Sequence, residues 1–210
     1  MAAPRPTLVI FLRAPRRGAV KRRLARAVGQ KAAYDFYARE SAALIRRLGG
    51  DPRWRTVLAV TPDSFARRAR FWPPGLKRIG QGGGDMGARM ARAFVDLPPG
   101  PVVLIGSDIP AINADHIARA FAALARAEAV FGPAVDGGYW LVGLARRRIN
   151  PRALAPRLFQ RVRWSTPHAL EDTRARLPAG TQAALLDVLE DVDDAGALAR
   201  WRAQKIPDDA

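Results

Sequence analysis

A short apolar run that ends abruptly in polar residues constrains the fold of this chain more than any other segment. Residues 102–105 read Val-Val-Leu-Ile, and Gly-Ser-Asp-Ile-Pro follows at 106–110. A continuous run of large apolar residues is typical of a buried parallel strand. The polar turn then places Asp108 at the carboxyl end of a central strand, where open α/β sheets bind ligands. Two interpretations are equally good at this point: a ligand for a divalent cation that also touches phosphates, or an Asp that only closes a turn or caps a helix.

The length and composition indicate one globular domain. A chain of 210 residues, 49% of them apolar, can bury one large core but is short for two. It contains no Cys, which excludes a disulfide framework, thiolate zinc sites and a Cys nucleophile. No apolar run reaches bilayer length, and the first residues lack the apolar core of a signal peptide. We therefore expect a single domain over residues 1–210, located in the cytoplasm and without a membrane span.

The chain is strongly basic. Its 35 Lys and Arg against 19 Asp and Glu give a formal charge of +16, and the Arg residues are spread through every segment. No RNA-binding aromatic motif, zinc-finger spacing or helix-turn-helix pattern accompanies them. We expect non-specific attraction to polyanions at low salt and no specific nucleic-acid recognition. The two His residues, His116 and His168, fall in the first turns of predicted helices and are interpreted as ordinary surface positions.

Strand and helix signals alternate along most of the chain. Strands are predicted over residues 7–12, 56–60, 77–79, 102–105, 129–135, 139–144 and 183–189. A long amphipathic helix is predicted from Gln30 to Leu48, and another begins at Thr166-Pro167, a capping residue followed by Pro. Asp-Gly-Gly at 136–138 predicts a hairpin. The alternation indicates an α/β fold with a mostly parallel sheet covered on both faces, to which the hairpin adds an irregular or antiparallel piece.

A basic loop follows the first predicted strand. Arg13, Lys21 and Arg23 could hold phosphates through charge-assisted hydrogen bonds at the carboxyl end of that strand. The segment lacks the G-x-x-x-x-G-K-[ST] order of a P-loop. Because Arg is abundant throughout the chain, a solvated basic start of a helix is an equally good interpretation.

A glycine-rich loop occupies residues 81–87. Gly82, Gly83 and Gly84 would let backbone amides approach a ligand closely, and Gln81 would hydrogen-bond the edge of a base or a sugar. A long turn that serves only to connect two elements is the simpler interpretation of the same pattern.

The predicted hairpin carries candidate acceptor-site residues. Asp136 is a candidate general base toward an acceptor hydroxyl, although an Asp in a turn can equally be turn chemistry. Gly137 and Gly138 satisfy the conformational needs of the turn itself. Tyr139 and Trp140 point to opposite faces of a strand, so we expect one to lie in the core and the other to stack on a sugar or acceptor.

Carboxylates gather again after the last predicted strand, at Asp191, Asp193 and Asp194. If that strand ends near Asp108, one of them completes a two-carboxylate magnesium site with room for phosphate oxygens and water. Acidic residues at a helix N-terminus, matched to the helix dipole, are a sufficient alternative explanation.

Together these segments resemble one family, the bacterial glycosyltransferase-A-like proteins of the DUF2064 type, also described as radical-SAM/selenodomain-associated transferases. The matching segments occur in family order across about 180 residues: Phe11–Pro15, Gly18 with Lys21–Leu24, Gln81–Gly87 with Arg89-Met90, Gly106–Pro110, Gly132-Pro133 with Asp136–Trp140, Trp164–Pro167 and Asp191–Asp193. The resemblance implies a Rossmann-like GT-A fold, a three-layer α/β/α sandwich with a mostly parallel central sheet and a hairpin insertion. The chain departs from the family at Arg13, where Lys is usual, and at Arg22, where Thr is usual.

The resemblance also implies transfer of a sugar from a nucleotide-diphospho-sugar to an acceptor, and it identifies neither the acceptor nor the oligomeric state. Asp108 and Asp193 would hold Mg²⁺ or Mn²⁺ against the diphosphate. Fixed positive charge would come from Arg13, Lys21 and Arg23. The remaining implied roles are contacts with base or ribose at Gln81, Gly82, Gly83 and Gly84, a base at Asp136, and a sugar and acceptor pocket shaped by Gly137, Gly138, Tyr139 and Trp140.

Two further functions stay open. A nucleotidyltransferase would use the same fold, basic loop and acidic metal site with a nucleoside triphosphate and would release pyrophosphate. Lys21–Leu24 resembles the Lys-Ser-Arg-Leu segment of phospholactate guanylyltransferases. A non-catalytic basic module would instead bind polyanions in a salt-sensitive way, without metal-dependent nucleotide binding.

Overall fold

Alternating strands and helices make up the part of the chain that the computed structural model describes, residues 4–67, 71–147 and 150–205. The strands are β1 (Thr7–Arg13), β2 (Arg55–Thr61), β3 (Lys77–Gly80), β4 (Val102–Ile105), β5 (Ala129–Pro133), β6 (Tyr139–Leu144) and β7 (Ala183–Leu185). The helices are α1 (Arg22–Val28), α2 (Gln30–Gly49), α3 (Ser64–Arg67), α4 (Met86–Asp96), α5 (Ala114–Leu124), α6 (Pro151–Leu158), α7 (Ala169–Arg174) and α8 (Ala195–Lys205). None of the helices within these ranges is long and apolar enough to cross a membrane.

The seven described strands belong to one sheet, in the order β3-β2-β1-β4-β6-β5-β7. β1 pairs in parallel with β2 on one side and with β4 on the other, and β2 pairs in parallel with β3. β6 is antiparallel to both β4 and β5, whereas β7 is parallel to β5. The carboxyl ends of all strands except β6 therefore lie at one edge of the sheet, together with the turn between β5 and β6.

Two apolar layers cover the sheet, because successive side chains of a strand point to opposite faces. In β1, Leu8, Ile10 and Leu12 face one layer, while Val9 and Phe11 face the other. The first layer is completed by buried side chains of α2 and α5, and the second by those of α4 and α6. The predicted α/β/α sandwich with a mostly parallel sheet is confirmed, and the predicted hairpin supplies the reversed strand.

A third apolar cluster packs residues near the start of the chain against residues near its end. Leu24 of α1, Phe36 of α2 and Leu198 of α8 are buried with Val192, and the ring of Trp201 packs edge-on against Phe36 at 5.3 Å between centroids. The cluster fixes the start of α1 and the segment before α8 against α2. Both of these segments adjoin candidate site residues. The single domain over residues 1–210 includes positions outside the described ranges and stays a prediction.

Three of the differences between the observed and the predicted element boundaries have a clear local cause. Residues 22–28 form α1 where a basic loop was predicted, because a helix whose buried face is Leu24 alone has little apolar periodicity. α7 begins at Ala169 because Thr166 Oγ1 accepts from the N–H two residues on, in a turn that precedes the helix. β7 is shorter than predicted, and beyond it the pairing with the hairpin continues as an isolated bridge at Leu189.

Candidate functional site

The candidate site lies at the carboxyl edge of the sheet, where the order of the strands reverses. From β1 the chain proceeds to β2 and β3 on one side, and it then returns to β4 on the other side of β1. Such a switch point opens a crevice between the loops that follow the two central strands, and open α/β sheets bind ligands there. Lys21 follows β1 and Asp108 follows β4, so the topology brings their loops together.

Lys21 combines an unusual backbone conformation with a buried ammonium group. Its φ of 47° and ψ of 50° lie in the left-handed region, which residues other than Gly seldom adopt. Its carbonyl accepts from the Ala25 N–H at 2.8 Å and thereby starts α1. The side chain is 2% exposed, and Nζ lies 3.1 Å from Asp108 Oδ2 and 3.7 Å from Asp193 Oδ1. Backbone strain of this kind concentrates at functional sites, and here it aims a buried cation at two carboxylates.

Asp193 reaches Lys21 because the segment before α8 is fastened to the loop after β4. The Val192 N–H donates to the Asp108 carbonyl at 3.2 Å, and Val192 is buried in the third apolar cluster. Asp193 Oδ2 also lies 3.5 Å from a guanidinium nitrogen of Arg23. The structure thus brings together four residues that the sequence analysis predicted separately as site residues: Lys21, Arg23, Asp108 and Asp193.

Asp191 and Asp136 add negative charge to the same cluster. Burial raises the pKa of the Asp191 carboxyl, and the positive charge of Lys21 opposes that shift. The charges of Asp136, Asp193 and Asp108 raise the same pKa further. Four carboxylates and one buried ammonium group therefore interact electrostatically in this cluster.

Tyr37 joins the two loops of the switch point from α2. Its hydroxyl donates to the Arg13 carbonyl at 2.9 Å, accepts from the Arg13 N–H at 3.0 Å and lies 3.3 Å from Ser107 Oγ. Ser107 in turn donates to Asp108 Oδ1 at 3.3 Å. Burial raises the pKa of the Tyr37 hydroxyl, and the charge of Asp108 raises it further, so the group stays protonated. The sequence does not single out Tyr37, because a Tyr on the apolar face of a helix is usually a core residue.

Gln81 fastens the carboxyl ends of the strands to one another. Its Nε2 donates to the carbonyls of Leu12 at 3.2 Å and Ala59 at 2.9 Å, and the residue is 5% exposed. Both protons of the amide are used within the sheet, which gives Gln81 a structural role, and its predicted contact with a base or ribose stays a prediction. A buried polar residue next to three glycines carries no sequence signal that distinguishes the two roles.

The glycine loop is held from outside by two charged side chains. Asp63 accepts from the Gly82 N–H at 3.1 Å, and Arg92 of α4 donates to two carbonyls of the loop. Gly82 and Gly84 have φ values of 76° and 95°, which a side chain would strain. The loop therefore has a defined shape at the carboxyl end of β3, and its predicted nucleotide contacts stay predictions.

The glycines also match the spacing G-x-G-x-x-G, at Gly82, Gly84 and Gly87, between a strand and a helix. Backbone conformation and packing account for this spacing. Gly82 has a positive φ of 76°, and a Cβ on Gly84 would lie 2.9 Å from a side chain of α4. A Cβ on Gly87 would collide with the Phe159 carbonyl. The spacing alone therefore does not indicate a dinucleotide site.

The two aromatic residues after the hairpin turn lie on opposite faces of β6: Trp140 is a buried core residue, and Tyr139 is partly buried against the second apolar layer. Trp140 is 2% exposed, its Nε1 donates to the Asp187 carbonyl at 3.0 Å, and its ring packs edge-on against His116. Tyr139 packs edge-on against Trp164 and a ring of β5, and burial raises the pKa of its hydroxyl. The predicted contact with sugar or acceptor is therefore wrong for Trp140. Tyr139 is only partly buried, and its predicted contact with sugar or acceptor stays a prediction.

His116 is not the ordinary surface residue that the sequence indicated. It closes a capping box with Asn113, in which each backbone N–H donates to the other side chain, at 3.0 and 3.1 Å. Burial lowers the pKa of the imidazole, and its ring contact with Trp140 buries one face. His168, by contrast, is half exposed beside Glu171, as expected for a surface position.

Gly137 and Gly138 shape the hairpin turn that presents Asp136. Gly137 has a φ of 83°, and a Cβ at this position would collide with the backbone of Pro167. The Gly138 N–H donates to Asp136 Oδ1 at 2.9 Å, which orients the exposed carboxylate at the carboxyl edge of the sheet. An open groove of about 690 Å³ starts at Gly137 and continues along α7 to Ala183.

The donor set of the cluster fits a hard divalent cation. Asp108 and Asp193 offer carboxylate oxygens, which Mg²⁺ and Mn²⁺ prefer, and their side chains are 49% and 38% exposed. The Lys21 ammonium, in contact with both, marks a position where positive charge is stabilised. Within residues 4–67, 71–147 and 150–205, no three His, Asp or Glu side chains are arranged to hold a metal ion. A cation here would therefore use two protein ligands and complete its shell with phosphate oxygens and water.

A family model matches residues 44–166, more than half of the chain. The family is described as uncharacterised proteins conserved in bacteria, DUF2064. This chain belongs to the DUF2064 family. The matched range contains the glycine loop, Asp108 and the hairpin turn, so the predicted family membership is confirmed. No match was found among curated protein sequences.

Solved structures share the fold of this DUF2064 protein over nearly its full length. A candidate nucleotide-diphospho-sugar transferase from Desulfovibrio desulfuricans G20 is 26% identical, with a TM-score of 0.82 over 97% of this chain and 89% of that one. The Rv0371c protein of Mycobacterium tuberculosis H37Rv, in complex with manganese, is 17% identical, with a TM-score of 0.58 over 97% and 100%. A 4-diphosphocytidyl-2C-methyl-D-erythritol synthase from Anaerococcus prevotii DSM 20548 is 10% identical, with a TM-score of 0.61 over 95% of each chain. The latter two likenesses show the fold alone.

Proposed function

We propose that this DUF2064 protein is a transferase that moves a sugar from a nucleotide-diphospho-sugar to an acceptor at the switch-point site. The observation that carries the proposal is the meeting of the buried Lys21 ammonium with Asp108 and Asp193 at the carboxyl ends of β1 and β4. A diphosphate needs fixed positive charge, and a cation that bridges it needs carboxylates beside that charge. The 26% identity to a candidate nucleotide-diphospho-sugar transferase supports this class of substrate.

The diphosphate would bind between the two loops of the switch point. Lys21, with Arg13 and Arg23 at the exposed rim, would offset the charge that develops on the leaving nucleoside diphosphate. A Mg²⁺ or Mn²⁺ ion held by Asp108 and Asp193 supplies further neutralisation of the same group when it is bound. The manganese complex of the Rv0371c protein supports a divalent cation within this fold.

Sugar transfer also needs a base for the acceptor. The bond from the anomeric carbon to the β-phosphate oxygen breaks, and the nucleoside diphosphate leaves with the electron pair. The acceptor oxygen bonds to the anomeric carbon, and its proton passes to a carboxylate. We assign that role to Asp136, because it is exposed at the edge of the sheet and interacts with Asp191 of the cluster. The open groove beside Gly137 supplies room for the acceptor.

Nucleotide binding tests the proposal. In calorimetric titrations with Mn²⁺ and UDP-, GDP- and dTDP-sugars, at least one donor should bind the wild-type protein. Asp108→Asn and Asp193→Asn should each weaken that binding by about tenfold or more. The matched control is Asp194→Asn, because Asp194 caps α8 by accepting from the Ala197 N–H at 2.8 Å, and an Asn caps equally well.

The control should bind the donor within about twofold of wild type. If no donor binds, or if Asp108→Asn binds as well as wild type, the proposal is wrong. Salt-sensitive binding of polyanions that Asp108→Asn leaves unchanged would instead indicate a non-catalytic basic module.

A nucleotidyltransferase is the second candidate, supported by the fold shared with the 4-diphosphocytidyl-2C-methyl-D-erythritol synthase. The two reactions differ in what leaves. Release of pyrophosphate from a nucleoside triphosphate would favour the nucleotidyltransferase, whereas release of a nucleoside diphosphate from a sugar nucleotide would favour sugar transfer.

A further inference from the structure

We infer that, in the nucleotide-free protein, the Lys21 ammonium occupies the position of a divalent cation between Asp108 and Asp193. The cation would then enter already bound to the diphosphate of the nucleotide, and the site would discriminate against the free ion. This inference rests on the proposed function and specifies the form of the substrate that the site accepts.

The first support is the position of the ammonium group. Nζ lies 3.1 Å from an oxygen of Asp108 and 3.7 Å from an oxygen of Asp193, so it stands between the two carboxylates that a cation would bridge. Within the described residues it makes no hydrogen bond of good geometry, although the side chain is 2% exposed. It is therefore held by charge more than by directed bonds, and another cation can take over the same carboxylates.

The second support is the direction of access. The Lys21 side chain is covered by protein, whereas Asp108 and Asp193 are 49% and 38% exposed. Ligands therefore reach the carboxylates from the solvent side, whereas the ammonium approaches them from the protein side. The backbone of Lys21 is fixed between the buried side chains of Val20 and Leu24, so the ammonium can move only by rotation of its own side chain.

The third support is the cost of displacing the ammonium. The Lys21 ammonium is buried and lies in contact with both carboxylates of the pair. A free divalent ion would have to push the buried ammonium away from its counter-charges, which is costly in a site shielded from water. A cation that arrives with a diphosphate brings phosphate oxygens, and the ammonium exchanges its carboxylate partners for these.

Binding of Mn²⁺ alone tests the inference without any nucleotide. Free Mn²⁺ is measured by electron paramagnetic resonance for the wild-type protein and for Lys21→Met, which keeps the length of the side chain and removes the charge. We expect Lys21→Met to bind Mn²⁺ about tenfold more tightly or better, because the competing ammonium is gone. The matched control is Lys31→Met, the same substitution at an ammonium that is 78% exposed and pairs with Asp35 on α2, outside the candidate site; its affinity for Mn²⁺ should stay within about threefold of wild type.

Two further variants test whether the gain in Mn²⁺ affinity arises at this site. The double variant Lys21→Met/Asp108→Asn should lose the gained affinity. Lys21→Asn, whose side chain tolerates left-handed backbone, should reproduce the gain and covers the case in which Lys21→Met does not fold, as judged by circular dichroism. If a folded Lys21 variant binds free Mn²⁺ no better than wild type, including the case in which neither binds it, the inference is overturned.

Nucleoside diphosphates separate this inference from the proposed function. UDP, GDP or dTDP should raise the affinity of the wild-type protein for Mn²⁺, and the gain should be smaller in Lys21→Met, where the free ion already binds. If none of the sugar nucleotides or diphosphates binds wild type, the proposed function fails, and the comparison with Mn²⁺ alone still decides whether Lys21 competes with the cation. If nucleotide binds but Lys21→Met gains no Mn²⁺ affinity, the inference alone fails.

Discussion

Replacing Tyr37 by Phe should loosen the switch point without leaving a cavity. The substitution removes one oxygen and keeps the ring, which is 4% exposed on α2. That oxygen bridges the N–H and the carbonyl of Arg13, at 3.0 and 2.9 Å. It also lies 3.3 Å from the hydroxyl of Ser107, which donates to Asp108. Both loops of the candidate site therefore depend on the same atom.

The size of the effect follows from the groups that lose a partner. The Arg13 N–H points toward β4, as the Thr7 N–H does when it bonds Pro101 at the other end of β1. β4 pairs with β1 only as far as Ile10, so it offers the Arg13 N–H no replacement. A fully buried N–H without an acceptor costs about 1 to 3 kcal/mol; because the Arg13 N–H is only partly buried, we take about 1 to 2 kcal/mol, to which the lost hydrogen bond adds about 1 kcal/mol. We expect the free energy of unfolding to fall by about 2 to 3 kcal/mol and Tm by about 4 to 12 °C.

Urea unfolding followed by circular dichroism measures this loss. The matched control is Tyr34→Phe, one turn earlier on α2, whose ring lies 5.9 Å from the guanidinium carbon of Arg17, a contact that Phe retains. Its free energy of unfolding should stay within about 0.5 kcal/mol of wild type. Tyr37→Phe should also weaken nucleotide binding in the calorimetric titration. Equal stability of Tyr37→Phe and Tyr34→Phe would refute the reasoning.

Two further predictions concern the segments around the hairpin turn. Gly137→Ala should lower the free energy of unfolding in urea by about 2 kcal/mol or more, because its Cβ would collide with the Pro167 backbone. The control is Gly180→Ala, which also has a positive φ but lies in open space, and it should lower the free energy of unfolding by about 1 kcal/mol. Equal losses in the two variants would contradict the packing argument. Asp172→Asn should lower stability at pH 7, because hydrogen bonds from Arg163 hold the pKa of Asp172 below its ordinary value of 3.8. The stability that Asp172 contributes is fully present above pH 3.8 and is lost as the pH falls through the lowered pKa. A difference in stability between Asp172→Asn and wild type that persists in acid would therefore contradict this prediction.

The sheet was predictable because its signals are local. The apolar runs that became β1 and β4 are continuous, as expected for strands covered on both faces. α2 begins and ends within one residue of the predicted helix, because its apolar face repeats at helical spacing and glycines follow it. Asp-Gly-Gly at 136–138 specified the turn between β5 and β6. Each of these features depends on residues that are neighbours in the chain.

Contacts between distant segments were not predictable in the same way. Alternation along β6 placed Tyr139 and Trp140 on opposite faces, but whether a face is open depends on helices far away in the sequence. Gln81 resembled a ligand-binding residue, and its partners are carbonyls of two other strands. Lys21 and Asp193 were predicted as site residues from their charge and from the resemblance to a family. Their contact depends on the backbone hydrogen bond between Val192 and Asp108, which no local pattern encodes.

The charge of the site is opposite to the charge of the chain. A formal charge of +16 attracts any polyanion to the surface, yet four carboxylates interact at the crevice: Asp108, Asp136, Asp191 and Asp193. A bare diphosphate that arrives there meets these carboxylates as well as the Lys21 ammonium, and like charges repel at short range in a partly buried site. A diphosphate that carries a divalent cation would pair with both kinds of charge: its cation with the carboxylates, and its phosphate oxygens with the Lys21 ammonium. In the proposed function, the basic surface would therefore gather anions, and the acidic crevice would select those that carry a divalent cation.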